Sequence, residues 1–412
     1  MSIEIIAIAS EVLTGATINT NAAFISRELT KEGFTVARQL VLPDNYEILK
    51  QELSESLKKN ALVIVTGGLG PTLDDITRKV VADVLECSFS YNEEVANDLK
   101  RRYGDSLSSL KDQATLPSLA TPLINGVGTA PGLIFATSKA ILVLMPGVPL
   151  EMEVMMSDQL MPYLKTHLKD IPRKFYQRLH FFQLTENSVD LTLRILKERY
   201  PHVEVGIYPT QGALSVSLMC EAKGEREAFK ELEEPLLFLK QQFAAYVFES
   251  TSGKLEEAIH HLFIDNKLTL SLAESCTGGG MAAALTKLSG CSRYFLGSLV
   301  CYANSLKTQL LHVPEDTLRE YGAVSEEVVR QMAIGALEVT GSDFSIAVTG
   351  IAGPDGGTPT KPVGTVYGAI GAKGREPRIV KLLIPRTRSV IIERTINILL
   401  SELLKEVRDN YL

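Results

Sequence analysis

The sequence predicts an α/β protein, with two large α/β units separated by a smaller α+β module. Three observations predict this class. Short apolar runs alternate with helix-like spacing through about the first 165 residues and again through about the last 160. Several of those runs end in glycine-bearing turns, as buried parallel strands do where they offer ligand-facing loops at their C-terminal ends. The length, 412 residues, suits two or three domains of about 150 residues, each able to bury its own core.

Ile3 to Ala9 is a short apolar run suited to a buried parallel strand. Thr20 to Glu32 has helical spacing, with Ala23, Phe24, Ile25 and Leu29 on one side. Ala61 to Val65 is a second buried strand running into Thr66-Gly67-Gly68-Leu69-Gly70-Pro71, and Thr77 to Leu85 reads as a helix. Ala140 to Met145 is a third strand, closed by Pro146-Gly147-Val148-Pro149. Charge and Pro172 break the pattern between Lys165 and Lys174, which places a boundary there. A strand is then expected over Phe175 to Gln183 and a helix over Ser188 to Arg199. Val203 to Tyr208 and Leu214 to Cys220 form a hairpin around Pro209-Thr210-Gln211-Gly212, and Glu225 to Ala245 is a helix interrupted by Pro235. Glu249-Ser250-Thr251-Ser252-Gly253 reads as a second linker. Beyond it come a helix over Leu255 to Asn266 and strands at Thr269 to Ala273, Ser298 to Cys301, Ser345 to Val348 and Gly364 to Ile370. An apolar-periodic helix over Ile391 to Val407 closes the chain. The expected domains are therefore 1–168, 169–250 and 251–412.

Hydrophobic residues make up 45% and charged residues 22% of the chain, which excludes disordered, collagen-like and coiled-coil classes for the whole. The formal net charge of −7 argues against nucleic acid as the main partner, since that role needs a basic face. The five cysteines, Cys87, Cys220, Cys276, Cys291 and Cys301, contain no C-x-x-C pair. Reduced thiols and a cytoplasmic location are expected. The start carries Glu4 and Glu11 and no basic segment, so a secretory signal is not expected. The most apolar run, Ala140 to Val148, is far shorter than the about 20 residues of a membrane span.

Several common templates are missing: G-x-x-x-x-G-K-S/T, a G-x-G-x-x-G fingerprint in its strand–helix context, H-E-x-x-H and G-x-S-x-G. In their place the C-terminal third carries Leu272-Ala273-Glu274-Ser275-Cys276-Thr277-Gly278-Gly279-Gly280 between a strand and the helix-like Met281 to Leu285. Backbone N–H groups converge where a helix starts, which suits an oxyanion or a phosphate. The plainer alternative is that Ser275 caps the helix. Two more loops follow strands: Cys301-Tyr302-Ala303-Asn304-Ser305-Leu306-Lys307, and Ser345 to Pro354 with Thr349 before a glycine turn. A serine nucleophile needs a base. His312 is the only histidine near these loops in sequence, so Lys307 is the better candidate, provided its surroundings lower its pKa. The alternative for Lys307 is a solvated surface lysine.

In the N-terminal third, Gly67, Gly68 and Gly70 would let the backbone approach a phosphate, and Thr72 follows them. Asp74 and Asp75 could hold a divalent metal, or they could cap the next helix. The loops Asn125 to Gly132 and Pro146 to Met152 are of the same kind, and together they outline a pocket for a phosphorylated ligand.

These residues resemble the CinA family (competence/damage-inducible protein A) over essentially the whole chain. The resemblance implies an N-terminal three-layer α/β domain similar to the molybdopterin-binding fold, associated with metal-dependent ADP-ribose pyrophosphatase activity. It implies a small KH-type α+β middle module and a C-terminal α/β domain of the nicotinamide-nucleotide amidohydrolase type. Ser275 falls on the nucleophilic serine of the family's A-E-S-x-T-G-G motif, and Tyr302 and Lys307 on its Y-x-x-x-x-K pair. Thr349 falls on the threonine of T-G-x-A-G-P-x-G-G, whose glycines match Gly350, Gly353, Gly356 and Gly357. Arg388 aligns with the arginine of a G-D-R segment, with Arg386-Thr387 standing for the family's Gly-Asp. Thr277, Gly278, Gly279, Gly350, Gly353 and Arg388 are then the expected substrate-binding residues.

The implied reaction converts nicotinamide mononucleotide to nicotinic acid mononucleotide and ammonia, in pyridine-nucleotide salvage. Lys307 is the base, and Tyr302 and Thr349 join its hydrogen-bond network. The amidase needs no cofactor. In the N-terminal domain the resemblance carries over Glu11, Asn21, Gly67, Gly68, Gly70, Thr72, Asn125 and Gly128, with Glu151. A divalent ion (Mg or Co, with K) is expected at Asp74 and Asp75. The family's Gly-Asp-Glu run reads Ala9-Ser10-Glu11 here, so one carboxylate is replaced by Ser10. Small nucleotides are the expected partners, with a homodimer by family precedent and neither membrane nor nucleic acid. No G-x-x-G loop lies between Gln183 and Arg199 to make the middle module an RNA reader. Two other readings stay open: a non-enzymatic nucleotide sensor or adaptor, and a pterin-binding protein.

Overall fold

A computed structural model of the chain describes residues 2–72, 75–104, 107–168, 173–209 and 212–411. It divides into two compact units, Met1–Tyr176 with Met219–Glu231, and Gln177–Leu218 with Leu232–Leu412. The strands in chain order are β1 (Ser2–Ile8), β2 (Val36–Leu42), β3 (Asn60–Thr66), β4 (Phe89–Tyr91), β5 (Thr115–Pro117), β6 (Thr121–Leu123), β7 (Gly132–Ala136) and β8 (Ile141–Met145). They continue with β9 (Arg173–Phe182), β10 (Glu204–Pro209), β11 (Ala213–Ala222), β12 (Val247–Phe248), β13 (Leu270–Glu274), β14 (Phe295–Val300), β15 (Phe344–Gly350), β16 (Thr365–Ala372) and β17 (Arg378–Leu383).

The first unit is built on a sheet ordered β2-β1-β3-β8-β7-β6. Residues along its central strands alternate between two cores. Ile3 and Ile5, Leu62 and Ile64, and Val143 and Met145 join Ile25 and Leu29 on one face. Ile6 and Ile8, Val63 and Val65, and Leu142 and Leu144 join Leu49, Leu53 and Val81 on the other. Covering both faces is what makes these strands read as unbroken apolar runs, and it produces three layers. A fully parallel sheet was the expectation. The pairs β1–β2, β1–β3 and β3–β8 are parallel, but β7 and β6 return antiparallel. The helix Thr20–Lys31 buries Asn21, Ala22, Ile25 and Leu29. The expected face containing Ala23 is thus rotated, because the Asn21 amide is drawn inward by partners described below.

The middle sheet runs β10-β11-β9-β12. Thr210 and Gln211 of the expected hairpin turn, and residues 169–172 at the expected first boundary, lie outside the described residues. The helix Glu225–Gln242 is not interrupted by Pro235. The missing N–H costs one hydrogen bond, but Ala228, Leu232, Leu236 and Leu239 are buried at helical spacing and hold the helix together.

The C-terminal sheet runs β14-β13-β15-β16-β17. Its first three strands are parallel and the last two antiparallel. Leu270, Leu272, Phe344, Ile346 and Val348 face the helices Leu255–Asp265 and Arg388–Tyr411. Ala273 and Ala347 face the helices Asn304–Leu311 and Glu326–Thr340. Because β14, β13 and β15 are parallel neighbours, their C-terminal ends bring Cys301-Tyr302, Ser275 and Thr349-Gly350 to one edge. No helix among the described residues is long and apolar enough to cross a membrane, and the five cysteines are unpaired.

Candidate functional site

Strand β13 ends at Glu274, and Ser275 opens a tight turn into the helix Gly280–Thr286. The Ser275 amide donates to the Val348 carbonyl at 3.1 Å, and the Gly278 amide donates to the Ser275 carbonyl at 3.1 Å. Both bonds fix the serine against β15 and close the turn around it. Ser275 is 8% exposed and Lys307 only 1%. The Lys307 ammonium donates to Ser275 Oγ at 3.2 Å, to the Cys301 carbonyl at 2.9 Å and to the Tyr302 carbonyl at 3.4 Å. The surface-lysine reading therefore fails. Among the described residues no carboxylate pairs with Lys307. Burial pushes its pKa below the ordinary 10.5, as expected for an ammonium taken out of water without a counter-charge. The neighbouring thiol is no rival nucleophile, because burial pushes Cys276 up to about 12 and leaves it protonated at neutral pH.

The helix is capped by Glu274 and not by Ser275. Its carboxylate accepts from the Gly279, Met281 and Ala282 amides and from the Thr277 hydroxyl. The expectation that Thr277, Gly278 and Gly279 cradle a phosphate is corrected on this ground: the Thr277 hydroxyl and the Gly278 and Gly279 amides are already committed inside the turn. The backbone N–H groups of Cys276 and Thr277 are different, since they donate to no other residue described. They are the donors left beside Ser275 Oγ. Glu274 stood in the motif, but its part was missed. The signal was an acidic residue at the end of a strand, just before a helix start.

Two expected members of the serine–lysine network sit elsewhere. Tyr302 reaches Lys307 through its backbone carbonyl only; its ring is 58% exposed and its hydroxyl accepts from Arg388 at 2.9 Å. Thr349 is buried, but its hydroxyl donates to the Ala323 carbonyl at 2.8 Å and so ties β15 to the loop before the helix Glu326–Thr340. Arg388, at the start of the last helix, also donates to the Gly353 carbonyl at 2.8 Å. It joins the Tyr302 loop to the glycine turn after β15 and places a guanidinium beside them. Gly350 packs close to the Cys276 sulfur, where a Cβ would come within 3.1 Å of it.

In the N-terminal unit, Glu11, Thr17, Asn19, Asn21, Thr66, Gly147 and Pro149 are among the residues that line a cleft of ≈ 170 Å³. The Asn21 side-chain amide donates to Thr66 Oγ1 at 3.0 Å and to the Gly147 carbonyl at 2.8 Å. The glycine loops serve the protein's own packing. A Cβ on Gly67, Gly68, Gly70 or Gly128 would overlap the Ile8 carbonyl, Thr77 Oγ1, the Asp75 carboxylate or the Glu151 carboxylate respectively. That space was expected to admit a phosphate. Asn125 donates to Ala130 and Glu151 and accepts from the Val127 and Gly128 amides, so its bonds close its own loop. Asp75 accepts from the Thr72 amide and hydroxyl, and Asp74 lies outside the described residues. No group of three or more His, Cys, Asp or Glu among the described residues is arranged for a metal ion. Among the described residues Glu11 is the only carboxylate lining the cleft, so the described donors do not fit a divalent-metal centre. Ser10 Oγ donates to Asp44 at 2.8 Å, so an acid from the end of β2 does stand beside the position where the family has aspartate.

Residues 252–407 match the family model described as "CinA C-terminal domain", and residues 4–166 match "Probable molybdopterin binding domain". The CinA-like protein of Prochlorococcus marinus (strain MIT 9515) is 36% identical over 411 residues, covering 97% of this chain and 94% of the relative. That of Akkermansia muciniphila is 39% identical over 396 residues, covering 94% and 93%. The crystal structure of competence/damage inducible protein CihA from Agrobacterium tumefaciens is 39% identical, covers 36% of this chain and 92% of its own, and has a TM-score of 0.36. Fold and matches define a mixed α/β protein with a molybdopterin-binding-like N-terminal domain and a CinA-like C-terminal domain. The chain belongs to the family of CinA-like proteins.

Proposed function

We propose that the C-terminal domain is a serine–lysine amidohydrolase that converts nicotinamide mononucleotide to nicotinic acid mononucleotide and ammonia. The observation that carries this reading is the buried contact between Lys307 Nζ and Ser275 Oγ at 3.2 Å, with no carboxylate among the described residues paired to the lysine. The resemblance of the surrounding motifs supplies the substrate. Lys307, as the neutral amine, takes the hydroxyl proton, and Ser275 Oγ attacks the carboxamide carbon. The oxyanion that forms accepts from the Cys276 and Thr277 amides. Fixed donors are worth most there, where charge develops. Lys307 returns its proton to the leaving nitrogen, ammonia departs and an ester remains on Ser275. Water, deprotonated by Lys307, attacks the ester carbon; Lys307 then returns that proton to Ser275 Oγ as the C–O bond breaks and the acid leaves, which restores the hydroxyl and the neutral amine. Arg388 is the cation available for the substrate phosphate. The step as written draws on these donors and uses no metal.

No reaction is assigned to the N-terminal cleft, because the described residues there supply too few ligands for the metal that ADP-ribose hydrolysis would call on. The test of the C-terminal reading is ammonia release from nicotinamide mononucleotide by the purified full chain. Turnover is expected in the wild type and lost in Ser275→Ala. Turnover retained in that variant refutes the nucleophile, and none in either moves a nucleotide-binding, non-catalytic role to first place.

A further inference from the structure

We propose that Glu274 is the positioning residue of the nucleophile turn: it holds Ser275 and the two oxyanion donors in reactive geometry without touching substrate. The proposal rests on the reading of Ser275 as nucleophile. Glu274 is 0% exposed, and five donors converge on its carboxylate. Oε2 accepts from Thr277 Oγ1 at 2.8 Å and from the Gly279 and Met281 amides at 3.1 Å each. Oε1 accepts from the Ala282 amide at 2.9 Å and from Ser298 Oγ at 3.1 Å. Among the described residues no lysine or arginine pairs with it, so its charge is met by hydrogen bonds alone.

Four of those donors belong to residues 277–282, immediately after Ser275, and the fifth belongs to β14, the strand that leads to Tyr302 and Lys307. One side chain therefore binds the nucleophile turn to the strand that leads to the helix carrying the base. It also consumes the donors of residues 279, 281 and 282, whereas among the described residues the Cys276 and Thr277 amides donate to no other residue. All five partners are donors, so both oxygens must accept. Glutamine keeps the shape but turns one acceptor into an NH₂ that faces N–H or O–H groups. The turn must then shift, and a displacement of about 1 Å at a reacting group costs about 100-fold in rate.

The test uses the full chain with Glu274→Gln and two assays. In the first, Ser275 is labelled by a fluorophosphonate and followed by mass spectrometry, which does not depend on which amide is the substrate. In the second, kcat and KM for ammonia release are measured. Labelling and kcat are expected to fall by about 100-fold while KM stays near wild type and the melting temperature, lowered by the unsatisfied donors, stays well above the assay temperature. Wild-type labelling in Glu274→Gln overturns the proposal, and so does a loss that appears in KM alone. If wild type labels at Ser275 but releases no ammonia, the substrate assignment fails and the labelling comparison still decides the role of Glu274. If Glu274→Gln does not fold, Ser298→Ala and Thr277→Val each remove one donor. Slower labelling in both supports the role, and wild-type labelling in both overturns it.

Discussion

At Lys307 three acceptors surround the ammonium and none carries a full negative charge. Its folded-state pKa therefore lies below the ordinary 10.5, chiefly through burial. Between the two values the unfolded chain binds more protons than the folded one, so stability rises with pH across that interval. The stability of the wild type relative to Lys307→Met is thus expected to improve as pH rises from Lys307's lowered pKa toward 10.5, measured by urea denaturation at several pH values. A constant difference would show that Lys307 titrates alike in both states. Ser275 was legible in the sequence because it follows a buried strand whose apolar run is plain, and Lys307 because it lies in a loop-and-helix start just after the next strand. Glu274 was not, since its role needs four turn residues and Ser298 to converge, and that convergence exists only once the turn has formed. Thr349 was misplaced for a related reason: Ala323, whose carbonyl accepts its hydrogen bond, is 26 residues away. A motif shows which residues recur together but not which of them bond.

The helix Asn304–Leu311 carries Lys307 and leans on the helix Glu326–Thr340. Gly335 makes that approach possible, since a Cβ there would overlap the Leu311 carbonyl oxygen. Gly335→Ala gains up to about 1 kcal/mol of helix propensity but overpacks the contact at a cost of about 1–3 kcal/mol. The expected result is a lower melting temperature together with reduced ammonia release, because the lysine moves with its helix. A stabilised, fully active variant would show that the two helices can part without disturbing the site. Elements buried on both faces, such as β1, β3 and β8, were readable from their apolar runs. The strand Val36–Leu42 escaped notice because Arg38 and Gln39 sit in its middle on an exposed edge. Strand β17 is the other edge case, with Arg378 and Lys381 among its six residues. Edge strands alternate irregularly with solvent, so period-two patterning weakens where pairing is one-sided.

At the scale of the whole molecule, the C-terminal domain shares its core with part of the middle sheet. Phe182, Ala213 and Phe248 belong to the same cluster as Leu255, Leu403 and Leu404. Gln183 donates to Ser401 Oγ at 3.0 Å, and Arg408 donates to the Val247 carbonyl at 2.6 Å. The stretch that reads as a linker is pinned as well: the Ser250, Thr251 and Ser252 hydroxyls all donate to Glu257. Its serine- and glycine-bearing composition reads as a linker, and a carboxylate six residues beyond Thr251 supplies the acceptor that pins it. Phe248→Ala is accordingly expected to cost the C-terminal unit about 3–5 kcal/mol, read as a lower urea midpoint of the full chain; an unchanged midpoint would detach the middle sheet from that core. Activation of Ser275 by buried Lys307 is read from the pH dependence of kcat/KM for ammonia release from nicotinamide mononucleotide by the full chain, beside Lys307→Met. A rate that rises with pH to a plateau below 10.5, and that Lys307→Met abolishes, is the predicted result. A pH-independent rate, or turnover that survives in Lys307→Met, would contradict it.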